Sequence, residues 1–215
     1  MATTDTDTVL EICTDALRKI GVVSIGERAN AEDIETALRN LNRLLKSWQN
    51  RKIDLWLATG MSVTATTSAV YTLDPVRPLD ISTARFKRNG IELPMQRMTR
   101  EEYDTLPNKA TTGIPTTFYY DRQREAARLY VWPVLSTVAG QTIEITYTRE
   151  IEDMNLSDVL DCPPEWYDAV VYGLASRMAD DYMIPAQNVM ARAEEELRRA
   201  LAFDREGSVF FAGGY

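Results

Sequence analysis

The sequence predicts an α+β fold: a four-helix bundle from the N- and C-terminal helices, with an antiparallel β-rich lobe inserted between them. Three observations lead there. Apolar residues recur every three or four positions through residues 9–48, the signature of helices with one buried face. From 61 to 151 the texture changes to short alternating runs rich in Thr, Val and Tyr, broken by turn dipeptides. From 161 the helical spacing returns. The expected boundaries are 1–58 with 160–206 for the bundle, 59–159 for the β-rich lobe and 207–215 for a flexible C-terminal tail.

The first helix is expected over 9–20. Val9, Ile12, Cys13, Ala16, Leu17 and Ile20 form its stripe, Thr8 or Asp7 can cap it, and Gly21 sits where a left-handed residue ends a helix cheaply. The second, over 31–51, is the longest and organises the rest. Asn30 is its N-cap, Glu32 and Asp33 place negative charge at the positive end of the dipole, and Ile34, Leu38, Leu41, Leu45 and Trp48 make the stripe. The connector between the two is short, so they should be neighbours.

Strand texture runs over 61–71, 81–87 and 91–94. Asn89-Gly90 between the last two is the strongest hairpin signal in the chain, because both residues tolerate positive φ. Thr99 followed by Glu102 reads as a capping box opening a short helix over 99–106. Strands follow over 116–120, 127–132 and 141–150. In the last, Ile143, Ile145 and Tyr147 share one face. The short connections predict an antiparallel meander. Pro163 and Pro164 suit a helix entry. Trp166, Ala169, Val170, Gly173, Leu174 and Met178 then form a stripe, and Pro185 separates it from a final helix over 186–203 with Val189, Ala193, Leu197, Ala200 and Leu201 inward.

Composition narrows the chemistry. The chain has 215 residues and a formal net charge of -8. That charge argues against wrapping duplex DNA, which takes clustered Lys and Arg, but allows facing DNA inside a channel. No apolar run is long enough to span a membrane, and 1–9 has the features of no secretory signal. There is no histidine, which removes imidazole bases and His metal ligands together. Cys13 and Cys162 fit no metal spacing and are expected as free thiols. Phosphate-cradling glycine loops and nucleophile elbows are absent. The acidic pairs Asp153 with Asp158 and Asp180 with Asp181 read as solvated faces. Phe118, Tyr119, Tyr120, Tyr130 and Trp132 could stack nucleobases, or could be sheet core and cross-strand pairs. The expectation is a protein that is not an enzyme, with no cofactor, metal or catalytic residue.

Three blocks carry a resemblance. The first is Ala16-Leu17 to Gly21, Gly26-Glu27, Ala31-Glu32-Asp33, Leu41-Asn42, Leu44-Leu45, Trp48 and Leu55-Trp56. The second is Gly113, Pro115, Phe118-Tyr119-Tyr120, Leu129 and Trp132-Pro133. The third is Pro164-Glu165-Trp166, Ala169, Tyr172, Leu174-Ala175 and Ala179. In this order they resemble the podovirus head-to-tail adaptor family, the P22-type packaged-DNA stabilisation proteins and the tubular tail A proteins of T7-like phages. The resemblance implies a bacteriophage structural protein made in the host cytoplasm and placed in the tail or neck of the virion. It implies a dodecameric ring beneath the portal, a connector that joins capsid to tail and helps retain packaged DNA until ejection. Implied partners are the portal protein, a tail nozzle or next tail component, and neighbouring copies. DNA would pass through the channel without sequence-specific contact, and no membrane is involved. Alternatives are a neck or head-completion protein of a long-tailed phage, and a carboxylate-dependent cell-wall hydrolase.

Two sets of residues are candidates for these contacts. Val209, Phe210, Phe211 and Tyr215 lie in a tail that has too few neighbours to fold alone, so they are expected to order on the portal. Asn89, Gly90, Arg122 and Arg124 lie in loops at strand ends, where rigid sheets present interactions, and are expected to touch the next tail component.

Overall fold

The computed structural model describes residues 7–49, 57–73, 77–123 and 126–203. The chain divides into two compact units, Met1–Ile53 with Ile151–Tyr215, and Asp54–Glu150.

The first unit is helical: α1 (Val9–Lys19), α2 (Ala31–Gln49), a 3-10 turn (Pro164–Trp166) leading into α4 (Tyr167–Asp181), and α5 (Gln187–Phe203). Each start has a local cause. Thr8 caps α1 in a reciprocal box: its hydroxyl accepts from the Glu11 N–H, and the Glu11 carboxylate accepts from the Thr8 N–H at 2.7 Å. Asn30 Oδ1 accepts from the Glu32 N–H at the head of α2. Pro164 occupies a position whose missing N–H costs nothing. Gly21, at φ 78°, ends α1 in the left-handed conformation.

α1, α2 and α4 pack against one another in this unit, and their stripes make its core. Trp48 of α2 and Trp166 meet at 5.7 Å between ring centroids. Gly173 of α4 lets the helices approach: a Cβ there would lie 3.1 Å from the Trp48 ring and 3.3 Å from Leu44. α5 departs from the expected four-helix bundle. It rests chiefly on α4 and the 3-10 turn. Its stripe is correspondingly half-covered: Ala200 is buried, but Val189, Ala193, Leu197 and Leu201 are only partly so. Glu196 shares the covered side and accepts from Arg199 at 3.0 Å, which answers the cost of burying a carboxylate.

The second unit is one seven-stranded sheet in the order β1-β7-β3-β4-β5-β6-β2, with a short helix α3 (Arg100–Asp104) on the connection between β4 and β5. The strands are β1 (Ala58–Thr64), β2 (Val70–Leu73), β3 (Asp80–Arg88), β4 (Ile91–Arg97), β5 (Thr117–Asp121), β6 (Ala127–Trp132) and β7 (Thr142–Thr148). Two expectations are corrected here. The stretch 61–71 is two strands, and they lie on opposite edges of the sheet. The lobe is not wholly antiparallel: β4 and β5 pair in parallel at Gln96 with Thr117 and Arg97 with Phe118. A parallel pair needs a crossover, and α3, opened by the Thr99–Glu102 capping box, supplies it.

The two edges are joined by only five residues, 65–69. Six residue steps reach about 21 Å at most. Six interstrand spacings across a flat sheet come to about 29 Å. The sheet therefore has to curl. Its inner face then closes on a single core in which β2 to β7 each place buried residues, including Leu73, Phe86, Met95, Phe118, Leu129 and Ile145, with Met61 and Val63 of β1 packed against it. The link is tied at both ends, by Ala65 N–H to Gln141 and Val131 N–H to the Ala69 carbonyl. The Tyr71 hydroxyl holds its middle, donating to the Thr66 carbonyl and accepting the Thr66 N–H, both at 2.9 Å.

Two stability outcomes follow. Leu41, fully buried, should cost about 2–5 kcal/mol as Leu41→Ala. Tyr71→Phe, which strips both link hydrogen bonds, should cost about 1–3 kcal/mol. Denaturant titration checks both, and a change below about 0.5 kcal/mol in either would contradict the packing described.

Candidate interaction surfaces

Asn89 and Gly90 form the tip of the β3–β4 hairpin, at φ 51° and 79°, the paired positive values of a two-residue turn that follows strand twist. β3 pairs with β4 from Ala84–Met95 to Arg88–Ile91. β5 pairs with β4 only at Gln96 and Arg97. The first five residues of β4 therefore have a neighbour on one side only, and the hairpin overhangs the core. Glu92 bridges Arg85 at 3.3 Å and Lys87 at 3.8 Å across its outer face. Ile91 and Leu93 continue the core-facing side past Phe86 and are exposed, Ile91 at 65%.

Arg122 lies at the other end of the sheet, beside Asp80 at 4.0 Å. Asp80 pairs with Thr148, at the end where the chain leaves the sheet. Arg97 grips the same carboxylate with two bonds, at 2.7 and 3.1 Å. Burial works to raise the Asp80 carboxyl, but the Arg97 bonds and charge, the Ile81 N–H and the Arg122 charge outweigh it and leave it below the usual range. Nearby, burial pushes the Tyr120 hydroxyl up to about 12, and that hydroxyl donates to the Pro78 carbonyl. Asn89–Gly90 and Arg122 are thus not brought together. Arg124, Val209, Phe210, Phe211 and Tyr215 lie outside the described residues, as do Leu55 and Trp56.

The aromatic run divides by alternation. Phe118 and Tyr120 point into the core. Tyr119 and Tyr130 face outward, 5.5 Å apart, and Tyr103 of α3 stacks on Tyr119 at 5.6 Å and meets Tyr130 at a tilt at 5.1 Å. Lys109 lies 5.1 Å over the Tyr103 ring, and the Trp132 indole N–H donates to the Asn108 carbonyl. A base-stacking platform is therefore occupied by the protein's own helix. Sequence reading saw the strand aromatics but not this cover. The signal was Tyr103, buried on one side of a five-residue helix too short to show periodicity.

The carboxylates have structural partners. Asp153 pairs with Lys46, Asp158 accepts from Asn155 at 2.7 Å, and Asp181 accepts from Asn40 at 2.7 Å. Tyr182 donates to Asp33, and burial together with that carboxylate raises its hydroxyl well above the usual range. Burial pushes both thiols up to about 12, so Cys13 and Cys162 are protonated near neutrality and poor nucleophiles. Among the described residues no group of His, Cys, Asp and Glu is placed to hold a metal ion.

A pH dependence follows from Asp80. Its folded-state pKa lies below the unfolded value of about 3.9. The pair with Arg97 thus contributes stability above that value and loses it as pH falls through the depressed one. Asp80→Asn should lower the urea midpoint near pH 7, and the gap to wild type should close near pH 2. A gap of equal size at both would contradict the assignment.

A family model described as SU10 adaptor protein matches residues 7–209. No curated protein matches the chain. Among solved structures, a chain described as "Neck of empty GTA particle computed with C6 symmetry" is 16% identical, with 92% of this chain and 91% of that chain covered at a TM-score of 0.30.

Proposed function

The chain belongs to the SU10 adaptor protein family, a family of structural phage adaptors, and from that premise we propose that it forms a ring beneath the portal, joins capsid to tail and helps retain packaged DNA. The observation that supports this most is the extent of the family match, which runs from the start of α1 past the end of α5. The residues in hand are consistent with a structural part. Asp153 is paired with Lys46, Asp158 accepts from Asn155, and burial keeps the Cys162 thiol protonated. The charge suits a channel wall: 21 acidic against 13 basic residues in the helical unit and 11 against 11 in the sheet unit. Such a wall would let DNA slide, since binding it tightly takes displaced counterions.

The ring is proposed as dodecameric, with the portal on one side, a tail nozzle or equivalent on the other, and neighbouring copies between. Assembly follows synthesis in the host cytoplasm. Val209, Phe210, Phe211 and Tyr215 are proposed as portal anchors, aromatics that leave water at roughly 25 cal/mol per Å² once a groove is offered. Asn89, Gly90, Arg122 and Arg124 are proposed as contacts to other virion components. The P22-type and T7-type likeness supplies the ring and its place under the portal; the family match itself is broader.

The test uses purified portal. A chain truncated after Glu206 should fold normally by circular dichroism but bind portal at least tenfold more weakly, or about 1.4 kcal/mol. Unchanged affinity at matched salt would remove the tail from the interface. No binding by the full chain would remove the portal reading itself.

A further inference from the structure

We propose that the overhanging β3–β4 hairpin of one copy docks onto an acidic patch around Leu10 and Val159 on the helical unit of a second copy. This deepens the ring reading by naming its copy-to-copy contact, and rests on that reading for its role in the virion.

The hairpin supplies one half. Among the described residues, the exposed large apolar residues of the sheet unit gather at one end. Val70, Ile91, Leu93, Ile114 and Val138 all lie at or near, or in the links leading into, the strand ends that point away from Ala58 and Thr148, where the chain enters and leaves. Ile91, at 65%, is the most exposed of these, and it follows Gly90 at the hairpin tip, with Leu93 two residues on. On their own face the hairpin carries the cation Arg88, opposite Ile91, while Arg85 and Lys87 lie on the other face with Glu92 and Glu144. Glu92 is shared by Arg85 and Lys87, and Arg88 at the tip has no carboxylate in ion-pair range among the described residues. The free edge is not built for strand addition. Pro94 stands in it opposite Arg85 and has no N–H to offer, a feature that blunts edges. Docking by side chains is what remains.

The helical unit supplies the other half. Leu10 and Val159 are exposed at 44% and 51%. Backbone pairing joins their two segments: Thr8 bridges Val159, the Val9 N–H donates to the Asp158 carbonyl, and the Leu10 N–H donates to the Leu156 carbonyl. The surrounding sequence is negative. Residues 151–176 contain six acidic residues and no basic one, and Glu11 adjoins Leu10. An apolar centre with a charged rim is the usual anatomy of an interface, and here the two rims have opposite signs. The two surfaces differ, so the contact is head-to-tail, the kind that builds rings or chains rather than closed dimers.

Complementation by two variants tests this. Ile91→Asp spoils only the hairpin surface and Val159→Asp only the patch. In sedimentation velocity at low salt, wild type should grow beyond dimer with rising concentration. Each variant alone should stay monomeric, and an equimolar mixture should stop at dimer, through the intact hairpin of one and the intact patch of the other. Arg88→Glu should weaken wild-type association several-fold and flatten its salt dependence. Circular dichroism confirms that each variant is folded. Wild type that stays monomeric up to millimolar concentration overturns the contact, as do variants that grow like wild type or a mixture that stays monomeric while wild type grows. The adaptor reading is scored separately by portal binding. A monomeric protein that binds portal loses this contact alone, and a self-associating protein that ignores portal loses the portal reading alone.

Discussion

A five-residue link that ties one edge of a seven-stranded sheet to the other governs the β unit. A flat sheet cannot satisfy it, so the strands curl until 65–69 can span the gap, and the Tyr71 hydroxyl fixes the link in place. The curl gives a protein of modest size a single sheet core without a second sheet to pack on. It also decides what is left outside. On the convex face α3 covers Tyr119 and Tyr130, while among the described residues the exposed large apolar residues emerge at one end. The surface proposed for copy-to-copy contact is therefore a by-product of the closure that makes the unit stable.

The helical unit solves a different problem. Three mutually packed helices bury the Trp48–Trp166 pair around the small Gly173, and α5 is added on α4. A helix with a half-covered stripe and a carboxylate on its covered side contributes less burial than an interior one. The net charge of the chain resides wholly in this unit, and the sheet unit is balanced.

Most local structure was legible because its causes are local. The Thr99–Glu102 box, the Asn89–Gly90 turn, the Asn30 cap and the stripes of α1, α2 and α4 are written in residues within a few positions of one another. What failed to show was long-range. Nothing near Thr64 or Val70 says that they belong to opposite edges, since Thr, Ala and Ser in 65–69 keep strand texture throughout. The parallel pairing of β4 with β5 was hidden because α3 is too short to mark a crossover. The α5 stripe has ordinary helical spacing, and spacing alone cannot say how many neighbours will cover it. For the candidate surfaces, the hairpin tip was legible from its turn dipeptide. The Leu10–Val159 patch was not, because it is assembled from segments joined only in the fold.

The central claim is that this family member completes the junction between head and tail. Electron microscopy of particles made without the gene measures it most directly. The account predicts capsids that assemble but lack tails and lose their packaged DNA, with tails restored when the full chain is supplied from a plasmid. Intact tailed, DNA-filled particles in its absence would contradict it.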